Sequence, residues 1–149
     1  MRVALASDHA GYELKTAVVE FLKTRSIAYE DFGCGPGEAV DYPDYGAKAA
    51  RSIVEGTCDR GILVCGTGLG MALTANKFKG LRATPCSSEY AAEMCRKHND
   101  SNCLTLGGRT QSTEQALAYV RIWLETPFEG GRHAVRVGKI RAIENENFR

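Results

Sequence analysis

At 149 residues the chain is the size of one domain and can bury a sizeable core without staples. Hydrophobic residues make up 44% and charged residues 25%, and the formal net charge is +1, which argues against a general nucleic-acid or membrane surface. No apolar run approaches the roughly 20 residues of a membrane span, and Asp8 and His9 interrupt the first apolar stretch too early for a signal peptide. A single cytoplasmic domain over residues 1–149 is expected.

Strands and helices alternate along the chain. RVALAS (Arg2–Ser7) is a short apolar run and reads as a buried strand. Gly11–Thr24 carries Leu14, Val18, Phe21 and Leu22 at helical spacing. Ala28–Phe32 alternates into a second strand, and the glycine-rich Gly33–Glu38 is a loop. Pro43–Glu55 is a helix with proline in its first turn. RGILVC (Arg60–Cys65) is apolar throughout, as a central parallel strand requires. A helix over Gly70–Lys77, a strand over Leu81–Cys86 and a helix over Ser88–Lys97, capped by Ser87 or Ser88, come next. The chain closes with a strand over Asn102–Leu106, a helix over Thr113–Glu125 that ends before Pro127, and a last helix over Arg132–Glu146.

Five β-then-α units predict a three-layer, Rossmann-like α/β domain: a five-stranded parallel sheet, helices on both faces, and an additional C-terminal helix. Ligands in such folds bind at the carboxyl ends of strands, where strand order reverses. That rule selects Ser7-Asp8-His9 after the first strand and Cys65-Gly66-Thr67-Gly68-Leu69-Gly70 after the third.

Six cysteines stand at positions 34, 58, 65, 86, 95 and 103. None forms a C-x-x-C pair, so neither a zinc site nor a dithiol redox motif is indicated, and reduced thiols are expected. Cys65 stands apart. At the end of a strand, beside free amides and a helix start, its thiolate form is favoured and can serve as a base or nucleophile. A buried cysteine that merely ends a strand fits the same position. The three glycines of CGTGLG let backbone approach a ligand, and the amides there form an anion site. The spacing fits neither a dinucleotide fingerprint nor a P-loop. Thr67 either hydrogen-bonds the sulfur or satisfies the turn. Asp8 and His9 suit proton transfer and anion binding, and Asp8 also suits a cap for the helix that follows. Tyr42 lines a pocket or packs a helix entry. His98 and Asn99 suit a helix C-terminus. Arg132, Arg136 and Lys139 share one helical face and form either a phosphate clamp or a solvated basic stripe. Arg109, just after the fifth strand, is a further candidate cation.

Taken together these segments resemble the type B ribose-5-phosphate isomerases, in the wider group that includes galactose-6-phosphate isomerase subunits. The resemblance is carried by SDHAG (Ser7–Gly11), DYPDYG (Asp41–Gly46), CGTGLGM (Cys65–Met71) with ANK (Ala75–Lys77), HND-x-N (His98–Asn102), LGGR (Leu106–Arg109) and P-F-x-G-G-R-H (Pro127–His133). It spans nearly the whole chain. It implies an aldose–ketose isomerase of the pentose phosphate pathway that interconverts ribose 5-phosphate and ribulose 5-phosphate through a cis-enediolate. A six-carbon phosphate of allose or galactose remains the alternative. The resemblance implies that Cys65 is the base, that Thr67 supports the thiolate, and that the amides of Gly66, Gly68, Leu69 and Gly70 hold the enediolate. It implies roles for Asp8 and His98 in ring opening and proton movement. His9, Arg132 and Arg136, with Arg109, are implied as phosphate ligands, and Tyr42 and Asn99 as pocket residues. No metal, nicotinamide or other cofactor is implied.

The geometry of a parallel α/β sheet adds an expectation about assembly. A helix that follows strand four ends back at the amino edge, so His98 and Asn99 lie there, with Cys65 at the carboxyl edge. A five-residue strand spans roughly 16 Å at ~3.3 Å per residue, too far for an imidazole to reach. Arg132, after the fifth helix, falls on the same far edge. A shared site therefore requires a homodimer with two composite sites, alone or within a tetramer.

Overall fold

The computed structural model describes residues 1–148. Its elements follow the expected order: β1 (Arg2–Ser7), α1 (Tyr12–Thr24), β2 (Ala28–Asp31), α2 (Tyr42–Val54), β3 (Arg60–Cys65), α3 (Leu69–Ala75), β4 (Ala83–Pro85), α4 (Glu89–Asn99), β5 (Cys103–Gly107), α5 (Thr113–Glu125) and α6 (Arg132–Asn147). The strands form one parallel sheet in the order β2-β1-β3-β5-β4. Strand order reverses between β1 and β3, which sets the loops after these strands beside a natural crevice. No helix among the described residues is long and apolar enough to cross a membrane.

The pleat sorts each strand's side chains to two cores. Val3, Leu5, Ile62, Val64, Leu104 and Leu106 face α1, α4 and α5, where Leu14, Val18, Cys95, Val120 and the fully buried Trp123 complete a bulky layer. Ala4, Ala6, Leu63, Cys65 and Cys103 face α2 and α3, meeting Ala49, Ala50, Met71, Ala72 and Ala75 in a thinner, alanine-rich layer. Small side chains let α2 and α3 approach the sheet closely, which carries the loop after β3 down onto its neighbours. Helix α6 lies outside both cores and buries only His133 and Val137.

β4 is shorter than its apolar run suggests. The Arg82 amide is taken by Asn102 Oδ1 at 2.7 Å, so regular pairing starts only at Ala83, opposite Cys103. An ion pair between a buried lysine and an exposed aspartate, absent from any local pattern, secures the other end of the sheet. Lys15, 2% exposed, donates to Asp31 Oδ1 at 2.9 Å and to the Cys34 carbonyl at 2.7 Å, tying α1 to the loop after β2. All six cysteines are free and buried.

Candidate active site

The loops after β1, β3 and β5 emerge side by side, because Ser7 lies opposite Val64 and Cys65 opposite Gly107. Backbone bonds lock them together: Asp8 N–H to the Val64 carbonyl (3.2 Å), Gly108 N–H to that of Cys65 (2.8 Å) and Arg109 N–H to that of Gly66 (3.0 Å). The approach leaves no room for a side chain at Gly108, where a Cβ would stand 2.4 Å from the Ala10 carbonyl oxygen.

Cys65 ends β3 and is 4% exposed. Its Sγ accepts a hydrogen bond from the Gly68 amide at 3.2 Å. Gly68 turns that amide back toward the sulfur by adopting φ 81, and a Cβ there would press on the Leu106 backbone at 3.0 Å. The Thr67 hydroxyl is engaged elsewhere: it accepts from the Leu69 amide at 3.2 Å, so the group on the sulfur is the Gly68 amide and not Thr67. The amides of Gly66, Thr67 and Gly70 have no acceptor among the described residues. Tyr42 starts α2 and lays its ring over Gly70, where a Cβ would lie 2.6 Å from Cζ. Arg109 crosses Gly66, its Nη1 3.7 Å from where a Cβ would be.

Asp8 is buried, and its Oδ1 accepts from the Gly11 amide at 3.0 Å, closing the turn into α1. His9 Nδ1 accepts from the Val40 amide at 3.1 Å, which places the proton of the neutral ring on Nε2 and pins the loop between β2 and α2. Asp8, His9, Tyr42, Cys65, Gly66, Thr67, Gly68, Leu69, Gly70 and Arg109 thus gather at the carboxyl edge of the sheet.

His98, Asn99, Arg132 and Arg136 do not join them within the chain. Helix α4 returns to the amino edge, where Arg82 Nε donates to the Asn99 carbonyl at 3.0 Å. Asp100 follows in the left-handed region (φ 49), and its carboxylate is held by Arg82 at 3.1 Å and by the buried Arg96 at 3.0 Å. This clamp fixes the end of α4. The His98 ring stacks on His133, with centroids 4.1 Å apart and planes 12° from parallel. His133 sits in the first turn of α6 beside Arg132, with Arg136 one turn on. Burial pushes the His133 pKa down. The His98 ring and the guanidinium groups of Arg132 and Arg136 act in the same direction, against Glu129, so the ring is neutral at pH 7. Sequence reasoning passed over Glu129 and His133 as members of this cluster. Their four-residue spacing is visible, but its meeting with His98 is a tertiary contact.

The sequence matches the Ribose/Galactose Isomerase family model over residues 3–140. Ribose-5-phosphate isomerase B of Escherichia coli is 43% identical over 143 residues, covering 96% of each chain. The solved Clostridium thermocellum ribose-5-phosphate isomerase B superposes with a TM-score of 0.96 at 50% identity, covering 98% of this chain and 99% of that one. The Mycoplasma genitalium ribose-5-phosphate isomerase B, solved with bound ribulose 5-phosphate, gives a TM-score of 0.94 at 37% identity, covering 98% and 97%. The matched span takes in every candidate residue from Asp8 to Arg136, and the chain belongs to the Ribose/Galactose Isomerase family.

Proposed function

We propose that the chain, acting as one domain, interconverts ribose 5-phosphate and ribulose 5-phosphate through a cis-enediolate, with Cys65 as general base. The observation that carries this reading is the Cys65 sulfur at the end of β3, held by the Gly68 amide among amides that have no internal acceptor. The chemistry needs such a pair. A proton α to a carbonyl is weakly acidic, and its removal becomes feasible when fixed donors meet the charge that develops on oxygen. The thiolate takes the C2 proton, the bond pair moves toward the carbonyl oxygen, and the proton returns to C1. No electrons leave the sugar, so the step requires no cofactor.

The remaining residues take roles consistent with their places. Asp8 and His98 move protons at the sugar oxygens during ring opening. The amides of Gly66 and Gly70 face the enediolate; those of Gly68 and Leu69, which donate to the Cys65 sulfur and the Thr67 hydroxyl, join them as the sulfur takes up its proton and the Thr67 hydroxyl turns from Leu69 to substrate or sulfur. Tyr42 and Asn99 line the sugar, while His9, Arg109, Arg132 and Arg136 hold the phosphate. Because His98, Asn99, Arg132 and Arg136 lie at the far edge, this reading requires a homodimer in which each site borrows them from a partner. Large apolar side chains border both half-sites. Leu69 and Leu73 flank the loop after β3, and Val135, Ile140 and Ile143 run along α6, each at least 47% exposed. A two-fold contact would bury both strips.

The test is a comparison of kcat/KM for ribose 5-phosphate with allose and galactose 6-phosphates, in chelator-treated buffer. The five-carbon substrate should be preferred by a wide margin and turnover should survive the chelator. Preference for a six-carbon sugar, or activity that returns only with an added divalent ion, would overturn the reading. Arg132→Ala and Arg136→Ala should each raise KM for ribose 5-phosphate about 10–100-fold, the loss expected for one charge-assisted contact. Binding of unphosphorylated ribose should change little. Equal losses for both sugars would assign these arginines to the scaffold.

A further inference from the structure

We propose that Cys86 and Cys95 are an oxidative modification site, at which a hydroperoxide converts two buried thiols into one reversible disulfide that ties α4 to the edge of the sheet. The site stands apart from the isomerase chemistry and does not rest on that reading.

Placement carries the proposal. Cys86 directly follows the edge strand β4, Cys95 lies on the buried face of α4, and their sulfurs meet at 3.8 Å. A disulfide bond is about 2.05 Å long, so closure requires an approach of roughly 1.7 Å. Rotation about the two Cα–Cβ bonds and the give of the strand end supply it. Both cysteines belong to the bulky layer, whereas Cys58, Cys65 and Cys103 lie in the alanine-rich layer on the opposite face. The sheet therefore separates the pair from the proposed base and from the other thiols of that layer.

Burial does not shut the pair off from a small oxidant. Cys86 is 3% exposed and Cys95 4%, but Pro85 and Ser87, the chain neighbours of Cys86, are both exposed. β4 pairs with β5 alone, and through only three residues. Such an edge opens locally at far less cost than the core, and a hydroperoxide is small and neutral.

The two thiols are not equivalent. The contact with Cys86 pulls the Cys95 thiol below its ordinary pKa, helped by Ser101, Arg96 and Thr84 against the cost of burial. The same contact, and then burial, push Cys86 up. Cys95 thus ionises first, with a thiol that keeps its proton beside it. Its thiolate attacks the terminal peroxide oxygen, the O–O bond breaks, and the released alkoxide or hydroxide takes up a proton. Cys95 is left as a sulfenic acid. The Cys86 sulfur then attacks the Cys95 sulfur, the S–S bond forms, the S–O bond breaks, and hydroxide leaves with the Cys86 proton as water. Two thiols and one hydroperoxide give one disulfide, one water and one alcohol, or two waters from hydrogen peroxide. The sulfurs lose two electrons in all, and the peroxide gains them. A thiol reductant reverses the bond by exchange. The closed loop holds the Ser88 cap and the first turns of α4, so the bond restricts the unfolded chain more than the folded one.

The full-length wild-type protein is treated with hydrogen peroxide under native conditions, its free thiols are blocked, and its peptides are mapped by mass spectrometry. The expected product is a Cys86–Cys95 crosslink that dithiothreitol removes. Cys86→Ser should hold Cys95 as a sulfenic acid trapped by dimedone, and Cys95→Ser should trap at least about fivefold less at Cys86. Oxidised wild-type protein should melt roughly 5 °C above the reduced protein, the rise expected from closing a loop of about ten residues. Cys95→Ser treated in the same way should show no rise. Cys86→Ala and Cys95→Ala repeat each comparison without placing a hydroxyl in the core. Absence of the crosslink, or crosslinks scattered over Cys34, Cys58 and Cys103, overturns the site. Equal trapping at the two positions overturns Cys95 as the attacking thiol. A crosslink with no rise in melting temperature overturns the tie between α4 and the sheet.

Discussion

Cys65→Ala is expected to lower kcat about 10³-fold or more and to stop exchange of the substrate C2 proton with solvent deuterium. A thousandfold loss corresponds to about 4 kcal/mol of transition-state stabilisation. Packing cannot account for that. Cys65 lies in the alanine-rich layer against Ala4, Ala6 and Met71, and removing one sulfur there costs roughly 1–2 kcal/mol of stability, which leaves the protein folded. Cys65→Ser separates the two effects further. It preserves the Gly68 amide contact and most of the volume but supplies a hydroxyl that is far too weak an acid to ionise as a base. It should lose nearly as much activity as the alanine variant. Alkylation should inactivate the wild-type protein, and substrate should protect it. C2 exchange that persists in Cys65→Ala would pass the role of base to another residue.

Much of this was legible in the sequence because the fold is built from local signals. The apolar run Arg60–Cys65 declares a central strand, and glycines at a strand–helix junction declare a loop that must lie close to its neighbours. The turn contact of Asp8 ahead of α1 was readable as one of the two roles its position allows, and its Oδ1 accepts from the Gly11 amide. The misses share one cause. β4 begins late because Asn102, twenty residues on, takes the Arg82 amide. Thr67 turns to Leu69 because the Gly68 amide already reaches the sulfur, a matter of one residue's φ. The placement of β5 between β3 and β4, the burial of Lys15 on Asp31 and the grip of Arg82 and Arg96 on Asp100 join residues far apart in the chain or packed from different elements. Periodicity carries no trace of such contacts. The same holds for Cys86 and Cys95, whose sulfurs meet at 3.8 Å without any C-x-x-C spacing.

Mixing inactive Cys65→Ala with inactive His98→Ala under conditions that exchange subunits is expected to restore about a quarter of wild-type activity. The argument starts from the sheet. Cys65 pairs with Gly107, the last residue of β5, while His98 is anchored through Arg82 and Asp100 to the first residues of β4 and β5. The length of β5, roughly 16 Å at ~3.3 Å per residue, separates them. An imidazole cannot span that distance, and the Asp100 clamp prevents the end of α4 from unwinding to carry it. If both residues serve one reaction, they come from different copies. A two-fold axis then makes two equal sites, each with Cys65 of one chain and His98 of the other. Random exchange makes half of the dimers mixed. In a mixed dimer one site carries both lesions and the other carries neither, so one site in four overall is intact. Arg132→Ala in place of His98→Ala should complement in the same way, because Arg132 adjoins His133 on the far edge. Cys65→Ala mixed with Asp8→Ala should not complement, since both lesions fall in the same half-site and no mixed dimer contains a whole one. Subunit exchange demonstrated by mass, with no activity regained for Cys65→Ala with His98→Ala, would mean that each site is built within a single chain.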